Sequence, residues 1–335
     1  MAAPEIRAIG AINSGVGTIN PTVPAGTEAG DLLLMVCESG GTTSETEATT
    51  ALTATGWSSA PSSPQVKGNT RLTVLYKIAV GSDATTTNDT GDHQIARIVG
   101  VKKGTFNETN PFNANAGGTQ AATKSVSIPG ATTTVAECLV LAFASGHLPK
   151  ATGTAEFSGE SNASLSSLTE RIDNTREAGD GGAVYCVSGV KTTAGAYSAT
   201  TTTAATEAER GVISLAITAL AAPLVESKAA SGVEKTKATL KGTVNSQAES
   251  TTYKFQYGTT EALGTETEAK TAGEGTTAVE KEATVEGLSA NTKYFFRISA
   301  TNATGTTNGT ILNFTTEAAA AGPPVGTMAM MGVGR

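Results

Sequence analysis

The chain has 335 residues, 38 of them glycine, with 39% hydrophobic, 4% aromatic and 16% charged residues and a formal net charge of −7. That length accommodates two or three domains with cores of their own, and no stretch approaches the ~20 consecutive apolar residues of a membrane span. The 23 basic residues are dispersed among 30 acidic ones, which argues against nucleic acid and membrane as partners.

Taken in chain order, the opening MAAPEIRAIGAINSG has no basic segment leading into an apolar one, so synthesis and assembly in a cytoplasm are expected. Period-two alternation then recurs, and no stretch sustains a capped helical period, so the expected class is all-β. Strands are expected at Ile6 to Ile12 and at Asp31 to Cys37, whose unbroken apolar run suits a central strand covered on both faces. Arg71 to Val80 alternates cleanly, with Leu72, Val74, Tyr76, Ile78 and Val80 on one face. Further strands are expected at Gln94 to Val101, Ser125 to Ile128, Glu137 to Ala144, Leu165 to Ile172, Ala183 to Val190 and Val212 to Leu220. Their number points to a large sandwich of jelly-roll type. The Thr-rich stretches Gly40 to Thr55 and Thr192 to Thr206 are expected to be surface loops.

Composition shifts near Ala221 and Pro223, which divides the chain into an N-terminal β-sandwich over 1–221 and a second domain over 222–317. The second domain alternates at Ala238 to Val244, Tyr253 to Tyr257 and Tyr294 to Ala300, a spacing of short strands that suits another sandwich. Residues 318–335 read as an Ala/Gly/Pro/Met-rich arm, in which Met328, Met330 and Met331 are candidates for docking on a partner.

The chemistry-bearing residues are few. Cys37, Cys138 and Cys186 lie in apolar runs without metal or redox spacing and are expected to be buried thiols. His93 and His147 each stand without a nearby Cys or His and are read as structural rather than as metal ligands or bases. Asp173 to Asp180 lacks the regular ligand spacing of a calcium loop and is read as a solvated turn. Glu45, Glu47 and the remaining carboxylates form no recognisable glycosidase pair. Trp57, the only tryptophan, is assigned to the core as a strand-start anchor rather than to a sugar platform. No cofactor or metal is expected, and the chain is read as non-enzymatic.

Two stretches carry a family resemblance. GLSANTKYFFRISATNATG, Gly287 to Gly305, resembles the E–F corner and F strand of a fibronectin type III domain, with Leu288 and Tyr294 in the places of that family's tyrosine corner. TLKGTVNSQAESTTYKFQYGTT, Thr239 to Thr260, is similar to the B and C strands of bacterial and phage members. The resemblance implies an Ig-like β-sandwich over 222–317. In the first domain, AGDLLLMVCESGG, RLTVLYKIAVGSDATT, IARIVGVKKGT and NPFNANAG occur in an order that resembles the sandwich domains of bacteriophage structural proteins. The resemblance implies a virion protein of minor tail type, with capsid decoration as the alternative and a bacterial adhesin or carbohydrate-binding protein as a further one. The partners it implies are other virion proteins, further copies of the chain and a host-surface glycan.

Overall fold

The computed structural model describes residues 2–41, 52–88, 91, 93–148, 152–177, 181–247 and 249–319, and these contain strands, turns and bends but no helix. The chain divides into two units, Met1–Ala221 and Ala222–Arg335.

The principal strands of the first unit are β1 (Ile6–Ile9), β2 (Leu32–Gly40), β3 (Thr70–Ile78), β4 (His93–Val101), β5 (Phe112–Ile128), β6 (Cys138–Gly146), β7 (Ser166–Arg176), β8 (Gly182–Lys191) and β9 (Thr200–Ile217). They form two antiparallel sheets, one in the order β1-β4-β2-β3 and the other in the order β5-β9-β6-β8-β7. The inner faces meet in one core, where Leu32, Leu34, Val36, Val74 and Val99 of the first sheet pack with Leu139, Leu141, Phe143, Cys186 and Leu215 of the second. This is a two-layer sandwich. Its sheets are filled by consecutive halves of the chain, whereas strands alternate between sheets in a jelly roll.

The two halves repeat one design. In each, the first strand pairs with the last, the last with the second, and the second with the strand that answers β3. The registers coincide. One row across the first sheet runs Ile6, Val101, Leu32, Ile78, and its counterpart in the second runs Phe112, Ile217, Leu139, Val190.

Both outer faces are also covered, which explains why β2 and β6 are buried along their whole length. Ile19, Leu52 and Trp57 pack over Leu33, Met35 and Cys37. On the other side Val126, Ile128, Phe157 and Ala204 cover Ala142, Ala144 and Tyr185, and Val135 and Tyr197 cover Cys138 and Val140.

Two strands reach further back along the chain than expected. The Thr-rich run expected as a loop enters β9 at Thr200, with Thr200, Thr202 and Ala204 buried and Thr201 and Thr203 exposed. Threonine is β-branched, and here its alternation is structural. The strand expected at Ser125 to Ile128 is the end of β5, which begins at Phe112. After Phe112 its earlier residues are Ala, Gly, Thr, Asn, Gln and Lys, too weakly apolar to show alternation.

The second unit holds β10 (Leu224–Ser231), β11 (Lys237–Asn245), β12 (Thr251–Gly258), β13 (Val279–Glu286), β14 (Lys293–Asn302), β15 (Gly305–Asn308) and β16 (Leu312–Thr315). One sheet runs β10-β11-β13; in the other, β12 pairs with β14, which also carries β15 and β16. Leu240, Phe255, Phe296 and Ile298 fill the core between them. This is an Ig-like sandwich, the class that the resemblance implies for 222–317.

Candidate functional site

The densest gathering of chemistry-bearing side chains lies between the sheets of the first unit, at the end where β2 and β6 finish and β3, β4 and β8 begin. Register fixes this placement, since Gly40 opposes both Thr70 and His93 and Gly146 opposes Ala183. Glu38, Thr70, His93 and Ser145 are all fully buried there. His93 Nε2 lies 3.2 Å from Glu38 Oε2, and Thr70 Oγ1 lies 3.0 Å from Glu38 Oε1 and 3.0 Å from Ser145 Oγ. The Gly211 backbone N–H donates to Ser145 Oγ at 3.0 Å. His147 stacks on His93, with ring centroids 5.9 Å apart.

Glycine makes the room. A Cβ on Gly182 would overlap the Glu38 carboxylate and come within 3.0 Å of His93 Nε2, and one on Gly146 would overlap the Arg210 guanidinium. Arg210 is itself fully buried, but on the outer face of the second sheet beneath Phe157 rather than between the sheets. Its Nη2 donates to the Thr206 carbonyl at 2.8 Å, its guanidinium sits 5.0 Å from the Phe157 ring, and Glu156 lies 3.5 Å away. Burial pulls this guanidinium below its usual value, opposed by Glu156. Burial likewise pushes the Glu38 carboxyl above the usual carboxylate range, and attraction to His93 and His147 does not reverse it. A carboxyl beside an imidazole can exchange a proton, but neither Glu38 nor His93 has any surface that a substrate could reach. The cluster ties two sheets together.

The pairing of His93 with His147 escapes sequence reading because 53 residues separate them along the chain and only strand order brings them together.

The other sequence-predicted residues have separate places. Trp57 is half-buried against the outer face of the first sheet, its Nε1 donating to the Ala84 carbonyl at 2.9 Å and Lys77 Nζ lying 5.7 Å from its ring. Leu288 and Tyr294 are in the second unit's core, and Tyr294 Oη accepts the Ser289 N–H at 3.0 Å. All three cysteines are buried, as expected. Asp173, read as part of a solvated turn, is in β7, where its carboxylate accepts the N–H groups of Glu156 and Phe157. Among the described residues no group of three or more His, Cys, Asp or Glu is arranged to hold a metal ion, and no helix is long and apolar enough to cross a membrane. Glu45, Glu47, Asp180, Met328, Met330 and Met331 lie outside the described residues.

No family model matches the chain, and no curated protein does. Among solved structures it is similar to the sensor domain of the anti-sigma factor RsgI4 of Pseudobacteroides cellulosolvens, at 19% identity over 30% of this chain and 95% of that one, with a TM-score of 0.22. It is also similar to the FN1–FN3 domains of chicken CNTN1, at 11% identity over 95% of this chain and 100% of that one, with a TM-score of 0.21. Likenesses this slight carry no argument about what the chain does.

Proposed function

We propose that the chain is a non-enzymatic structural protein of a bacteriophage virion, a minor tail protein whose first sandwich assembles onto the particle and whose Ig-like unit projects or bridges. The observation that carries the non-enzymatic part is the sealed cluster. The acid and imidazole of Glu38 and His93, which the first unit sets between its sheets, are closed to solvent and bonded to each other and to the Thr70 hydroxyl. The virion assignment rests on the order of motifs in the first unit and on the fibronectin-like module that follows it. On this reading binding comes from complementary surfaces and sheet edges in other virion proteins and in further copies of the chain.

Quantitative mass spectrometry of purified phage particles tests the proposal. A few copies per particle support the tail assignment. Parity with the major capsid protein, or a simple fraction of it, overturns that assignment in favour of capsid decoration. Absence from particles overturns the virion reading altogether.

A further inference from the structure

At the end of the first unit opposite the buried cluster, beside the row that contains Leu139 and Val190, an open groove of about 400 Å3 separates the start of β1 from β7 and β8. Its floor is apolar, formed by Ile6, Leu139 and Val190, and its wall carries the hydroxyls of Ser167, Thr169 and Ser188. This volume falls in the ~300–1,000 Å3 range of small-molecule sites, which combine apolar surface with a few placed polar groups.

The wall is irregular where it matters. Pairing between β7 and β8 passes from Ser166↔Val190 to Thr169↔Ser188, and from Glu170↔Val187 to Ile172↔Cys186, so β7 bulges twice and Arg171 is the extra residue of the second bulge. Bulges re-aim side chains. Ser188 shares the inner face with Cys186 and Val184 of the core, and Arg171 Nε donates to Ser188 Oγ at 2.7 Å. The bulge therefore turns Arg171 onto the same face as Ile172 and anchors it through Nε. Among the described residues no other hydrogen bond or ion pair engages this guanidinium, which leaves its terminal NH2 groups to the groove. The carboxylate on the rim, Glu5, is paired with Lys102 at 3.4 Å.

We infer that this groove binds a carboxylate-bearing sugar of the uronic acid type, with Arg171 gripping the carboxylate, Ser167 and Thr169 meeting ring hydroxyls, and the apolar floor receiving the C–H face. A fixed guanidinium matches a planar carboxylate through parallel hydrogen bonds. A single cation without a nest of backbone N–H groups is a poor phosphate site, and the hydroxyl-lined wall suits a polyol better than an aliphatic acid. The inference does not depend on where on a particle the chain sits.

The test is calorimetric titration and ligand-observed NMR on the full chain with glucuronate and galacturonate, alongside glucose, N-acetylglycine and inorganic phosphate. One or both uronates bind saturably, and glucose, N-acetylglycine and phosphate bind at least ten times more weakly. Arg171→Gln lowers uronate affinity at least tenfold at an unchanged melting temperature, and Arg171→Lys does not restore it, because an ammonium lacks the fork. Thr169→Val, at an exposed edge position, lowers affinity about threefold, which keeps the test valid should the arginine variants misfold. Absence of saturable uronate binding, undiminished binding by Arg171→Gln and by Thr169→Val, or equal binding of N-acetylglycine or phosphate overturns the assignment.

Discussion

Glu38 and Ser145 stand at equivalent positions of the two half-sheets, on the inner face near the ends of β2 and β6, and the Thr70 hydroxyl bridges them at 3.0 Å to each. The repeat that builds a hydrophobic core from matched rows thus ends in a polar tie whose two members differ, a carboxyl in one half and a hydroxyl in the other. Space for the larger member comes from Gly182, where a Cβ would overlap the Glu38 carboxylate. Gly182→Ala is expected to destabilise the first unit by about 1–3 kcal/mol through overpacking. In a double-mutant cycle with Glu38→Ala, the pair costs less than the sum of the two single changes by about 1 kcal/mol or more, because truncating Glu38 removes the clash. Chemical denaturation of the four proteins checks it, and strict additivity contradicts the steric account.

Glu38 also makes a prediction about pH. Burial raises its carboxyl above the ordinary glutamate range, with His93, Thr70 and His147 opposing, so the folded state favours the protonated acid. That contribution to stability is whole below the unfolded value of about pH 4.3 and is lost as the pH rises through the folded value. Glu38→Gln keeps the shape and removes the titration. The melting temperature of the variant therefore gains on that of the parent between about pH 4 and about pH 8. A difference that stays level or narrows over this range refutes the raised carboxyl.

Much of the strand content is legible in the chain, because alternation and β-branching report which residues face a core. The run Leu32 to Cys37 lacks alternation because both of its faces are covered, whereas the strand expected at Arg71 to Val80 ends at Ile78 and leaves Val80 exposed. Pairing is not legible in this way. Nothing local to His93 or His147 says that they stack, and nothing local to Glu38 says that Thr70 and Ser145 complete its surroundings. Those contacts follow from a strand order that brings chain-distant ends together. The duplication is equally hidden, since Ile6 and Phe112 or Ile78 and Val190 share a register position without sharing an identity. Arg171 is hidden for another reason: only the bulge puts it on the inner face, and a sequence read at strict period two assigns it to the opposite one.

In the second unit the Tyr294 hydroxyl accepts the Ser289 N–H at 3.0 Å while its ring stacks on Phe314, with centroids 5.7 Å apart. Tyr294→Phe keeps the ring and loses the hydrogen bond. The expected cost is about 1 kcal/mol, because Ser289 is exposed and water replaces the lost acceptor. Hydrogen exchange of the full chain checks this, with faster exchange across residues 287–300 and unaltered exchange in the first unit. Unchanged exchange at the corner refutes the role of the hydroxyl.

Trp57 serves as an intrinsic probe, being the only tryptophan. Its Nε1 is engaged by the Ala84 carbonyl, Lys77 lies near its ring, and it packs over Leu33 and Cys37. Its fluorescence is expected to be quenched slowly by acrylamide and to stay constant when neutral sugars are added. A saturable emission shift with a sugar makes Trp57 a binding platform and overturns its placement as a core anchor.

The three thiols divide among three packing environments and so report on three parts of one fold. Cys37 lies under Ile19 and Leu52, Cys186 lies between the sheets, and Cys138 lies beneath Val135 and Tyr197. Burial pushes the Cys138 thiol up to about 11 and raises that of Cys186 as well. The thiolate is the reactive form, so at about pH 8, close to the ordinary cysteine value, Cys138 and Cys186 are protonated as well as enclosed. A chromogenic disulfide reagent is therefore expected to find no thiol in the native chain at that pH and three after denaturation in guanidinium. Any slow native reaction proceeds at the rate at which the first unit opens, and it slows when that unit is stabilised. Fast labelling of Cys37 alone means that the Ile19 and Leu52 cover lifts while the core stays closed, whereas fast labelling of Cys186 contradicts the packed interface between the two half-sheets.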